Sequence, residues 1–157
     1  MVITRRHDGV INRPVDEVRS QYYDMHYHAQ TNVHPEIRFT VHSTNGTNCA
    51  YTQEISLAGL RQADEIVNTV LPDGSLQSDF VAGMNKGGRL LITFSSQGAD
   101  KTRVASLLTV PVSGPKLLIA PILSIASQAA LNKAFAQDKH DLESGNYTRY
   151  AGSALRS

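Results

Sequence analysis

Between residues 37 and 110 the chain reads as short β-type segments broken by tight-turn signals, and from Pro115 to about Ser144 that texture stops. This switch constrains the fold more than any other feature. Segments 37–42, 49–57, 62–71, 75–81, 89–95 and 102–110 carry strand-forming residues. Between them lie Asn45-Gly46, a hairpin signal, the turn around Gly59, Pro72-Asp73-Gly74, and the glycine-bearing stretches 83–88 and 97–101. Strands joined in uninterrupted series by tight turns form an antiparallel meander. Beyond it, Leu118, Ile122, Ile125, Ala129, Leu131 and Phe135 follow a helical rhythm in Ala-rich sequence, and Gly145 is a stop signal. Such a helix spans roughly 40 Å at about 1.5 Å per residue.

Ahead of the meander, residues 2–11 read as a first strand, with Gly9 disturbing its end. Asn12 is a candidate helix cap, Pro14 suits a first turn, and Asp16 and Glu17 favour the positive helix end. Val15, Val18 and Tyr22 continue one helical face, and Pro35 closes the short helical region. The order is therefore α+β: a strand, two short helices, six further antiparallel strands and a long helix. A curved sheet of about seven strands can wrap around that helix and leave a pocket. In the long helix, the apolar first half is expected to be buried, with Pro121 kinking it. The second half, with Lys133, Asp138, Lys139, Asp141 and Glu143, is expected to be wet on one side. Residues 1–147 make one domain, and 148–157 a loose tail.

The segment Val10-Ile11-Asn12-Arg13-Pro14-Val15-Asp16-Glu17-Val18 and the stretch 138–147 sit in this element order as in the helix-grip fold. Over residues 2–147 the chain resembles the START-like superfamily, which includes Bet v 1 allergens, lipid-transfer domains and polyketide cyclases. The resemblance implies a hydrophobic cavity for a lipid, aromatic or polyketide-like ligand. It does not separate carriers from enzymes.

Composition excludes several classes. A net charge of +1 with scattered Lys and Arg argues against nucleic acid. Cys49 is the single cysteine, so an internal disulfide and a cysteine zinc site are excluded. The N-terminus lacks a signal-peptide core, and the apolar run 117–126 is too short to span a bilayer. A cytoplasmic protein with no membrane span is expected. No phosphate-loop pattern occurs in 83–88, and no cofactor is expected.

Chemistry is concentrated elsewhere. Four of the six histidines fall within residues 26–42, and imidazole is suited to proton transfer near neutral pH and to transition metals. His26 and His34 are the best acid/base candidates. A metal set would draw on Asp24, His26, His28 and His34. Its spacing is poor, because His26 and His28 would point about 200° apart on a helix. The same histidines could instead cap short helices or line a cavity mouth. Tyr22, His26, His34, Tyr51, Gln53 and Ile122 are the candidate ligand contacts, with Tyr22 continuing the face of Val15 and Val18 and Gln53 sharing a strand face with Cys49, Tyr51 and Ile55. Three functions follow: binding a small hydrophobic molecule; cofactor-independent cyclase, aromatase or dehydratase chemistry on a His/Tyr pair; and histidine-dependent metal binding. An uncovered edge strand could also pair across a homodimer.

Overall fold

The computed structural model describes residues 1–154. Strand β1 (Val2–Ile11) is followed by helices α1 (Val15–Tyr23) and α2 (Met25–Gln30). Strands β2 (Ile37–Asn45), β3 (Asn48–Leu57), β4 (Leu60–Val70), β5 (Leu76–Gly83), β6 (Arg89–Ser96) and β7 (Thr102–Pro111) come next. A 3-10 segment (Gly114–Ile119) leads into the long helix α3 (Ala120–Glu143), and α4 (Asn146–Ala154) follows. All seven strands form one sheet in the order β1-β7-β6-β5-β4-β3-β2, and every pairing is antiparallel. Register shifts at Val41/Ser43 and Glu65/Ile66 mark bulges, which bend strands and raise their twist.

The expected α+β helix-grip architecture is therefore present. Its inner layer is built as alternation requires: Ile66 and Asn68 on β4, Leu76 and Ser78 on β5, Ile92 and Phe94 on β6 and Val104 and Ser106 on β7 are buried. Helix α1 packs on β6 and α3, and α2 on β2. Helix α3 crosses β1 closely at one point. A Cβ on Gly9 would lie 2.4 Å from Phe135 Cζ, so Gly9 is there to let the ring pass rather than to end the strand.

Four local expectations change. Asn12 does not cap α1; Pro14 holds that position without a side-chain bond, and Asn12 Nδ2 donates to Glu143 Oε1 at 2.9 Å, tying β1 to the end of α3. Pro121 lies in the first turn of α3, where its missing N–H costs nothing, and starts the helix rather than kinking it. The apolar first half of the long helix is not buried: Leu118 is 87 % exposed and Ile125 72 %. Only Ala120, Leu123 and Ser127 of that half are buried. Gly114–Glu143 as a whole is long and apolar enough to cross a membrane by length and composition, which the short run 117–126 did not suggest. Here its second half carries buried Asp138 and Asp141 against the body of the protein.

Residues 148–154, expected to be a loose tail, lie in helix α4, and 155–157 lie outside the described residues. Tyr147 of α4 is buried, donates to Ser20 O and Asp24 Oδ2, and packs edge-on against Tyr27 at 4.9 Å. Burial of aromatic rings supplies the apolar area that orders this segment.

Gly9→Ala is expected to destabilise the protein by about 1–3 kcal/mol, the range for forcing extra volume into a packed site, as read by denaturant unfolding. Phe135→Leu should recover part of that loss in the double variant; additive losses would show that the close pass is not the cause.

Candidate functional site

Helix phase sorts the histidines. Asp24 caps α2 by accepting from the Tyr27 N–H at 2.9 Å. Two residues apart on that helix, His28 turns inward and His26 turns to solvent. His26, a catalytic, ligand and metal candidate from the sequence, is therefore exposed and lies outside the buried cluster. The loop after α2 then brings His34 back, where its carbonyl accepts from Ile37 N–H at 3.0 Å and starts β2. The two buried imidazoles, of His28 and His34, stack at 5.5 Å with 11° between their planes.

Both rings converge on Asp138 of α3. His28 Nε2 and His34 Nε2 each lie 3.2 Å from the same oxygen, Asp138 Oδ1. Gln21 Nε2 donates to Asp138 Oδ1 at 3.0 Å and to Asp141 Oδ2 at 3.2 Å, and Tyr27 donates its hydroxyl to Asp141. His28 Nδ1 is 2.8 Å from the Asp24 carbonyl, and His34 Nδ1 is 2.6 Å from Gln137 Oε1. Asp24, expected to offer its carboxylate to a metal, offers its backbone oxygen to His28 instead. Its carboxylate is already engaged with Tyr27 N–H and the Tyr147 hydroxyl.

Burial by itself would raise the Asp138 carboxyl. The charge of His34 and the hydrogen bonds of His28 and His34 overcome it and hold the group well below the ordinary carboxylate value. Burial likewise would lower His34, but attraction to Asp138, hydrogen bonds to Asp138 and Gln137 and the Glu36 charge hold it above the ordinary imidazole value. The cluster thus favours an imidazolium–carboxylate pair at His34 and Asp138.

This cluster forms one end of the space between sheet and helix. A chamber of about 130 Å³ is bounded by Tyr22, His28, His34, Gln53 and Asp138 together with apolar residues such as Leu90 and Ile92. A second, of about 160 Å³, shares Ile37, Gln53, Leu90, Leu131 and Ala134 with it and runs on toward Leu108 and Ser127. Of the expected ligand contacts, Tyr22, His34 and Gln53 border this space. Tyr51 is buried behind Phe39 and donates to Asn68 Oδ1 at 3.1 Å rather than lining a chamber. Ile122 is 57 % exposed on the outer face of α3 and cannot reach it.

Asp138, Gln137 and Gln21 were not anticipated. The available signal was phase: Leu131, Asp138 and Leu142 repeat at helical spacing, so the stripe that enters the interior carries Asp138 with it.

No protein-family model matches the chain, and no curated protein matches it. Solved structures do. The Thermus thermophilus protein TTHA0849 superposes with a TM-score of 0.81 at 14% identity, covering 90% of this chain and 98% of that one. A START superfamily protein from Mycobacterium smegmatis gives 0.72 at 12% identity over 90% and 97% of the two chains. The fold is the START-like helix grip. The Zhui aromatase/cyclase from Streptomyces sp. R1128 shares it, with a TM-score of 0.71 at 10% identity and coverage of 90% and 96%.

His34 is raised by folding, so its stabilisation is full below its ordinary value of 6.5 and is lost as pH rises through the folded value. Asp138 is lowered, so its stabilisation is present above 3.8 and is lost as pH falls through the folded value. In metal-free buffer, His34→Gln should therefore cost more stability near pH 5 than near pH 9. Equal losses at both, by thermal unfolding, would show that the ion pair is not formed.

Proposed function

We propose that this protein binds a small hydrophobic molecule bearing one oxygen function, with its apolar body in the twin chamber and its polar group toward His34, Asp138 and Gln53. The observation that carries this is an apolar internal space ending in a buried acid/base cluster. Ligand pockets commonly combine apolar walls with a few convergent polar groups. The two chambers, about 130 and 160 Å³, fall at the low end of the roughly 300–1,000 Å³ typical of ligand sites even when joined. One or two rings fit such a space better than a steroid or a long acyl chain.

The placement of the cluster supports a second function, cofactor-independent cyclisation, aromatisation or dehydration. In a dehydration, the His34 imidazolium would give its proton to the departing β-hydroxyl, which leaves as water, and the neutral ring left behind would take the proton from the carbon next to the carbonyl. Asp138 would steady the imidazolium formed. The hydroxyl of Tyr22, at the chamber wall with its titration pushed up by burial and by Asp138, remains a neutral donor for the carbonyl oxygen. The similarity to an aromatase/cyclase supports the reaction class. The single buried thiol, Cys49, is compatible with a cytoplasmic setting.

Small bicyclic aromatics with a hydroxyl or carbonyl are expected to raise the unfolding temperature. Saturation at 100 times Kd corresponds to about 2.7 kcal/mol. Ala134 borders both chambers, so Ala134→Phe should fold and lose the effect. Stabilisation unchanged in that variant would place the ligand elsewhere. Turnover separates the two functions: an enzyme converts a small β-hydroxy ketone and loses product formation in His34→Gln, whereas a carrier binds it in the wild type without forming product.

A further inference from the structure

We propose that His28, His34 and Asp138 form a binding site for one divalent transition-metal ion, zinc or iron(II), with its open coordination position facing the chamber. The proposal goes beyond ligand binding and stands on the hydrogen-bond directions around the two imidazoles.

Each Nδ1 faces an atom that can only accept. For His28 it is the Asp24 carbonyl at 2.8 Å, and for His34 it is Gln137 Oε1 at 2.6 Å. The orientation of Gln137 is not free, because its Nε2 donates to both carboxylate oxygens of Glu36 at 3.2 and 3.0 Å. Glu36 is held in turn by Lys133 Nζ at 2.5 Å. Both Nδ1 atoms therefore carry a proton, and each ring, when neutral, presents its Nε2 lone pair to Asp138 Oδ1, itself a lone-pair atom. A proton on His34 relieves one of these two contacts. The other, at His28, then needs a second positive charge on a ring stacked 5.5 Å away. One divalent cation satisfies all three donors at once.

The spacing agrees. Donors bound to zinc at about 2.0–2.2 Å with near-tetrahedral angles lie roughly 3.3 Å apart, and both Nε2 atoms are 3.2 Å from Oδ1. All three ligand atoms lie within 4.8 Å of one another, and all three residues are buried. The outer contacts are those that ligating histidines use, an N–H to a carbonyl or amide oxygen that fixes ring and tautomer. Two imidazoles and one carboxylate leave coordination positions for water or a ligand oxygen and suit zinc or iron(II). Tyr22, Gln53 and Ser106 border the chamber on which those positions open. An ion there would polarise a carbonyl, or hold a hydroxide, against a molecule in the chamber. Relative to the sequence-based set, His28 and His34 stay, Asp138 replaces Asp24, and His26 drops out.

The test uses full-length, tag-free protein stripped with chelator and titrated with Co²⁺ under anaerobic conditions, then with Zn²⁺ by calorimetry. One ion per chain and visible bands of a four- or five-coordinate Co²⁺ are expected. His28→Gln and Asp138→Asn should abolish both signals. Because either change could disturb folding, Gln137→Leu keeps all three ligands and removes only the outer hydrogen bond of His34. It should weaken binding by about 10–100-fold while circular dichroism is unchanged. His26→Gln should change nothing. Substoichiometric uptake by the wild type, octahedral Co²⁺ bands, or equal affinity in Asp138→Asn would each overturn the site. Ala130→Phe, which fills the second chamber two helical turns from Asp138, should still take up the ion, so failure of the cavity assignment and failure of the metal site are read separately.

Discussion

A carboxylate enclosed on α3 organises the end of the molecule where chemistry is concentrated. An unpaired ionised group in such a place would cost several kcal/mol. Asp138 is tolerated because α1 sends Gln21 to it, α2 sends His28 and the following loop sends His34. Each partner is itself restrained: Gln21 is shared with Asp141, and both histidines are pinned through their far nitrogens. Charge burial thus converts a flexible connection between β1 and β2 into an ordered wall. Loss of any one partner would leave the others oriented toward an uncompensated group.

The meander was legible because tight turns are local chemistry. Asn45-Gly46 and Pro72-Asp73-Gly74 sit where the chain reverses, and strand alternation then fixes which face is interior. The long helix was legible from its rhythm. The site was legible in half. His28 and His34 could be named, but only the phase of α2 separates His28 from His26. Asp138 could not be found from charge pattern, since acidic residues on a helix are ordinarily solvated. Asp138 becomes an interior residue through partners lying more than a hundred positions earlier in the chain. The exposure of Leu118 and Ile125 was missed for the opposite reason: an apolar run says nothing about how much sheet is present to cover it.

The chamber ties fold to function by size and polarity. Its walls come from β2–β7 and α3, so its width is set by how tightly the bulged sheet closes on the helix. The Phe135–Gly9 contact limits that closure at one edge. A polar terminus at His28, His34 and Asp138 gives the space a direction, so a bound molecule has a defined orientation rather than merely a place.

The pairing of β1 with β7, Val2 opposite Pro111 at one end and Ile11 opposite Thr102 at the other, has a kinetic consequence. The first strand made waits for the last before it gains a neighbour, and the histidines wait longer still, for α3. Contacts this distant in sequence slow folding, since loop closure precedes any gain from the contact. During synthesis the concave face therefore stands open until the final helices emerge, and the emerging chain is most exposed to misassociation in that interval.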